Sequence, residues 1–125
     1  MCANKNNDSL LVLVKYKEAT FLFGGDAETE DDSMCSAKVP EVIKFYRQNR
    51  LLDVDVYKVG HHGSRNTTSE AFMRAMTPEI SVISADDSET REPGGFHAFQ
   101  FGHPREDAFL HLQKFTIGTR PRKRV

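Results

Sequence analysis

The sequence predicts an α/β fold, on three observations. Apolar runs of strand length alternate with segments whose apolar residues recur at helical spacing. The polar residues that stand out, Asp26, His61 and His62, each follow a strand run through glycine. The 125 residues suffice for one modest core and not for two.

The elements follow in order. Residues 1–8 are polar and read as a loop. Leu10 to Tyr16 is an apolar run rich in valine. Lys17-Glu18 breaks it, and Thr20 to Phe23 forms a second run ending at Gly24-Gly25, so the pair reads as a β-hairpin. Both runs are apolar on consecutive positions, which predicts a sheet covered on both faces here. Asp26 to Cys35 is acidic, with Glu28, Glu30, Asp31 and Asp32 suited to a solvated first helical turn. Pro40 starts a helix on which Val42, Ile43, Phe45 and Tyr46 recur. Asp53 to Val59 alternates with period two and reads as a strand running into Gly60-His61-His62-Gly63-Ser64.

Thr67-Thr68-Ser69-Glu70 offers helix caps ahead of an apolar face of Phe72, Met73 and Met76, closed by Thr77-Pro78. Ile80 to Ser84 is a strand, and Ala85 to Phe101 a long polar loop. Pro104 opens a last helix with Ala108, Phe109, Leu112 and Phe115 on one face. The domain spans 1–119, and residues 120–125 form a basic tail read as solvated, though four cations near a terminus can also contact phosphates.

Composition excludes several classes. With 17 basic and 18 acidic residues the net charge is −1, which argues against a generally basic nucleic-acid glove. No apolar run reaches the roughly 20 residues of a membrane span, and no signal peptide is evident, so a cytoplasmic location is expected. Cys2 and Cys35 read as reduced thiols; a zinc site built from them is the weaker alternative.

In layered α/β folds ligands gather beyond the carboxyl ends of strands. A carboxylate and imidazoles on adjacent strand ends there suit zinc, manganese or iron. The plain alternatives are that Gly24-Gly25-Asp26 is a turn and His61-His62 a hydrogen-bonded surface pair.

The wording of these segments resembles one family. Phe21-Leu22-Phe23-Gly24-Gly25-Asp26-Ala27-Glu28 resembles the "FLFTGD" segment of metallo-β-lactamase-fold hydrolases. Lys58-Val59-Gly60-His61-His62-Gly63-Ser64 resembles the "KVGHHGS" segment of its ComEC-type competence branch. Asn6 to Leu10, Thr68 to Phe72 with Pro78 and Val82-Ile83-Ser84, and Phe101-Gly102-His103-Pro104 resemble three further segments of that branch, in the same order over residues 6–112. The chain departs from the pattern at Gly24, where threonine is usual, at Arg105, where a second histidine is common, and in its tail. The family's first-half motif, His-x-His-x-Asp-His, does not occur: the five histidines are His61, His62, His97, His103 and His111.

The resemblance implies the C-terminal half of an αββα sandwich, a mixed sheet with helices packed on one face. It implies a metal-dependent hydrolase of phosphodiester bonds such as DNA, a nuclease using two zinc ions, with manganese possible. Asp26 matches the carboxylate that bridges the metals, and one of His61 and His62 a terminal ligand; the other would orient it or meet substrate. Ser64 and Gly63 could meet an anion. His103 stands equally as a substrate contact or a pre-helix turn residue. Two zinc ions need about five or six protein ligands, and this chain offers two or three, so alone it is expected to bind metal weakly and be catalytically silent. A bare sheet face including Leu11, Leu13, Phe21, Phe23, Val54 and Val56 would demand the other half, supplied by a longer chain or a second polypeptide, or self-association. The competing reading is a non-catalytic truncated module that binds a partner. A serine hydrolase using Ser64 is disfavoured, because no Gly-x-Ser-x-Gly elbow surrounds it.

Overall fold

The computed structural model describes residues 9–29, 53–85 and 102–118, together with Lys44 and Gln48. Within them lie a four-stranded mixed sheet and two helices, the α/β arrangement the sequence predicts and one consistent with half of an α/β sandwich. The strands are β1 (Val12–Tyr16), β2 (Ala19–Phe23), β3 (Val56–Lys58) and β4 (Ile80–Val82), in that spatial order. The helices are α1 (Glu70–Met76) and α2 (Glu106–Phe115). Among the described residues no helix is long and apolar enough to cross a membrane.

The hairpin forms where the apolar runs place it. β1 and β2 pair antiparallel from Tyr16 opposite Ala19 to Val12 opposite Phe23, leaving a two-residue turn. Lys17 in that turn takes φ 54°, the left-handed conformation that tight hairpin loops require. β2 runs parallel to β3, and β3 parallel to β4.

β3 is shorter than the alternation from Asp53 to Val59 predicts. Asp55 stands just before it, its N–H donating to the Thr20 carbonyl at 3.1 Å. Its Oδ2 accepts hydrogen bonds from the Thr20 backbone N–H at 2.7 Å and from Thr20 Oγ1 at 3.1 Å. Its carbonyl accepts from both Glu79 and Ile80, which starts β4. Val54 is fully buried, whereas Val56 is half-buried.

The period-two rule then divides the sheet. Leu13, Leu22, Tyr57 and Ser81 stand opposite one another in register on one face. That face carries the core: Leu22, Val54, Tyr57 and Val59 pack with Phe72, Met73 and Met76 of α1 and Leu112 and Phe115 of α2, flanked by Leu11, Leu13 and Ile83. The Tyr57 and Phe72 rings meet edge-on at 5.8 Å. Ser81 Oγ and Thr116 Oγ1, 2.7 Å apart, tie the end of α2 to β4.

Among the described residues no helix packs on the opposite face. Val12, Phe23, Lys58 and Val82 form one cross-strand row, and Val14, Phe21, Val56 and Ile80 the next. Val12, Val14, Phe23, Ile80 and Val82 are each 42–55% exposed. This corrects two expectations. Among the described residues the hairpin is not covered on both faces, and the bare side consists of Val12, Val14, Phe21, Phe23, Val56, Ile80 and Val82. Leu11 and Leu13 instead point to the helices, because the Tyr16–Ala19 register fixes which alternate residues face inward.

Other boundaries shift locally. β4 stops at Val82, two residues before Ser84. α2 starts at Glu106 rather than at Pro104, and Phe109 lies on its solvent side, 48% exposed. Gly25 and Asp26 form a turn, and no helix opens across Ala27–Thr29. Instead Thr29 is pinned by N–H and Oγ1 bonds to the Asn66 carbonyl, and its Oγ1 accepts from the Ser69 N–H. Lys44 and Gln48 are helical and exposed, as the polar positions of the helix expected after Pro40. That helix's apolar residues, the acidic run from Glu30 to Cys35, both cysteines, His97, the loop 86–101 and the tail lie outside the described residues.

Candidate functional site

Two glycines bring the ends of β2 and β3 together. Gly24 and Gly60 approach backbone to backbone: a Cβ on Gly24 would stand 3.0 Å from Gly60 N, and one on Gly60 would stand 2.9 Å from the Gly25 carbonyl oxygen. The His61 N–H donates to that same carbonyl at 2.8 Å. The loop carrying Asp26 and the turn carrying the histidines are thereby stitched together, as strand-end placement predicts. Under this contact Tyr57 is fully buried, its hydroxyl donating to the Thr67 carbonyl at 3.0 Å and accepting from the Gly60 N–H at 3.4 Å. Burial pushes the phenol far up, against the smaller opposing effect of the Gly60 bond, so it stays neutral.

After Gly60 the chain makes two 3₁₀ turns, His61–Gly63 and Arg65–Thr67. His61 and His62 both take positive φ, 43° and 53°. Side chains other than glycine enter this region at a cost, and such residues cluster at functional sites. Thr67 holds the double turn from beneath, its buried Oγ1 lying 3.1 Å from the Gly60 carbonyl and 2.9 Å from that of Ser64.

The two histidines that the sequence leaves equivalent differ here. His62 is exposed, and its Nδ1 is bonded to the Ser84 carbonyl at 2.8 Å. His61 is half-buried, and its Nδ1 is buried without a hydrogen-bond partner. Against its ring lies His103, with centroids 5.1 Å apart. His103 Nδ1 is likewise buried and unpartnered. His103 arrives there because the start of α2 docks on the turn: Arg105 N–H donates to the Gly63 carbonyl at 2.9 Å, and Pro104 fills the space a Gly63 Cβ would take. Gly63 has φ 81°, so both space and backbone require glycine.

Burial first, then the neighbouring His61, His62 and Arg105 charges, hold the His103 imidazole below its ordinary pKa. The neutral ring is the form that binds a cation. Asp26 is exposed on the adjoining loop. Two orphaned imidazole nitrogens with a carboxylate on the next loop suit a divalent ion by donor chemistry. The fit is partial, because among the described residues no group of three or more histidine, cysteine, aspartate or glutamate side chains is arranged to hold a metal.

Ser64 is buried, and with Arg65, His103 and Arg105 it lines a groove of about 250 Å³. The two arginines are the residues the sequence reading missed as a pair. Arg105 was visible only as a departure from a motif, and Arg65 carried no signal. His111 is structural, its Nδ1 donating to the Thr68 carbonyl at 2.8 Å.

Comparison with known proteins adds two relatives. The chain is 29% identical over 115 residues to ComE operon protein 3 of Bacillus subtilis, covering 92% of this chain. It is 29% identical over 112 residues to Recombination protein 2 of Haemophilus influenzae, covering 90% of this chain. In each case the chain spans 12% of the relative's length. No family model matches the sequence. No solved structure matches it either.

Proposed function

We propose that this chain is part of a metal-dependent hydrolase of the metallo-β-lactamase type, acting on phosphodiester bonds such as those of DNA in a DNA-uptake or competence role. The carrying observation is the pairing of His61 and His103, each with a buried, unpartnered Nδ1, beside the loop that bears Asp26. The names of the two relatives, a ComE operon protein and a recombination protein, agree with such a role.

In this reading His61 and His103 would hold the ion, zinc or manganese, and by resemblance the carboxylate role falls to Asp26 on the adjoining loop. His62, engaged with the Ser84 carbonyl, orients the turn or meets substrate. A bound divalent ion supplies Lewis acidity and a nucleophilic hydroxide at neutral pH. His103 is kept neutral by burial and neighbouring charge, and so is ready to donate its lone pair. The Gly24–Gly60 contact fixes the distance between the two ligand loops. Three donors fall short of the roughly five or six that two zinc ions need. Activity therefore requires ligands beyond these three, which in this reading come from another part of a longer protein or from a second polypeptide. The bare apolar face agrees with a second sheet packing there, from the same longer protein, another polypeptide or a second copy.

A second reading, a non-catalytic module that binds a partner, is favoured by the lack of a three-donor group among the described residues. Zinc binding separates the two. The first reading expects weak zinc binding by the chain, lost in Asp26→Ala and in His61→Ala, and DNA hydrolysis only when a polypeptide carrying His-x-His-x-Asp-His is added. Zinc binding indifferent to both substitutions would reject it. Tight binding of two ions by the chain alone would reject the claim that it is silent by itself.

A further inference from the structure

We propose that the groove formed by Ser64, Arg65, His103 and Arg105 is a seat for a phosphoryl group. The inference deepens the hydrolase reading, since it assigns the residues that would grip the substrate's phosphate beside the metal-binding pair. It rests on chemistry specific to this chain, the arginines at positions 65 and 105.

The groove has the right contents. Ser64, Arg65, His103 and Arg105 line it, and none of these four is acidic. Guanidinium presents a planar fork of donors that matches phosphate oxygens two at a time. The groove, of about 250 Å³, opens to solvent, so a phosphoryl group can seat in it while the rest of a larger ligand stays outside.

The placement is built rather than incidental. Arg105 N–H bonds to the Gly63 carbonyl, and Pro104 packs on Gly63, so the start of α2 is locked to the turn that leads into Ser64 and Arg65. The two arginines therefore come from segments 40 residues apart and meet at one groove. At Arg105 the competing contact is weak. Arg105 Nε lies 3.7 Å from Asp107 Oδ1, which already accepts from the Ala108 N–H at 3.0 Å. An incoming phosphoryl group offers Arg105 a better-matched partner.

The same chemistry would hold free phosphate or the backbone of a nucleic acid strand. Equilibrium dialysis of the full chain against radiolabelled inorganic phosphate, in chelator at fixed ionic strength, reads binding whatever the oligomeric state. Saturable binding is expected. Arg65→Gln and Arg105→Gln should each weaken it by about tenfold or more, as expected for loss of a charge-assisted hydrogen bond. Arg105→Lys should retain part of it. Asp107→Asn should tighten it, a change that a merely structural role would not produce. Lys15→Gln, an exposed cation on β1, should leave it unchanged. A short oligodeoxynucleotide that displaces phosphate identifies a strand backbone as the source; failure to displace it identifies free phosphate. Equal losses in Lys15→Gln and the arginine variants, or no saturation, would overturn the seat. Asp26→Asn keeps the two readings apart: it should abolish zinc binding and leave phosphate binding intact. In the parent chain, zinc binding without saturable phosphate binding rejects the seat alone, and phosphate binding without zinc binding rejects the metal site alone.

Discussion

Gly60→Ala probes the contact on which the whole site depends. Gly60 has φ −70° and ψ 160°, a conformation open to any residue, so alanine carries no backbone strain. The cost is steric. The new methyl would lie 2.9 Å from the Gly25 carbonyl oxygen, 3.4 Å from that of Gly24 and 3.4 Å from Thr67 Cβ. Two of these neighbours are backbone, which can yield only by moving the end of β2. Overpacking of this kind costs about 1–3 kcal/mol. If the strand end retreats, the His61 N–H to Gly25 bond adds about 0.5–1.5 kcal/mol. Lower entropy of the unfolded chain returns about 0.4–1 kcal/mol. The net is a destabilisation of about 1–3 kcal/mol, or on the order of 5–15 °C in Tm for a chain of this size. The chain has no tryptophan, so far-UV circular dichroism is the suitable probe. Protein concentration must be held fixed, because self-association would shift Tm by mass action. Zinc affinity should fall in the same variant, since the loops of Asp26 and His61 move apart. A Tm within about 2 °C of the parent, smaller than the shift expected for 1 kcal/mol, together with unchanged zinc binding would refute the argument that this glycine contact sets the site.

Three other outcomes are expected. Lys17→Gly relieves a left-handed φ of 54° in the hairpin turn and should stabilise the chain by about 0.5–1 kcal/mol, read as a rise in Tm; a fall would contradict it. Val14→Lys combined with Val82→Lys places two charges on the bare sheet face, and should shift the chain toward monomer in sedimentation velocity while changing stability by only about 0.5 kcal/mol or less per site; an unchanged sedimentation profile would count against that face as the associating surface. The pH dependence follows from His103, whose folded-state pKa lies below the ordinary 6.5. Below 6.5 the unfolded chain takes up a proton that the folded chain resists, so metal-free stability is full above that pH and falls as pH drops toward the depressed folded value. His103→Gln should flatten this part of the pH–stability profile, and an unaltered profile would exclude the residue as its source.

How much was legible in the sequence depends on the range of the forces involved. The hairpin, β4 and both helices follow from local pattern: Val12–Tyr16 and Ala19–Phe23 are apolar runs around a two-residue break, and α1 is capped by Ser69, whose Oγ accepts from the Phe72 N–H at 3.4 Å. The neighbourhood of Asp26 and His61 was legible too, because glycine after a strand marks where a backbone must turn or approach closely. The division of the sheet into faces was not. Leu11 and Leu13 are as apolar as Val12 and Val14, and only the cross-strand register decides which set meets the helices. Nor could the sequence separate His61 from His62, which are adjacent and chemically identical. Two backbone angles send one ring toward Ser84 and leave the other against His103, 42 residues away in the chain. Sequence by itself thus determined the elements and the residue types at the strand ends, because those are set by neighbours in the chain. Tertiary structure decided the partners, the pairing of His61 with His103 and the meeting of Arg65 and Arg105 at one groove, because the start of α2 docks on that turn through the Gly63–Arg105 bond and the space that a missing Cβ leaves for Pro104.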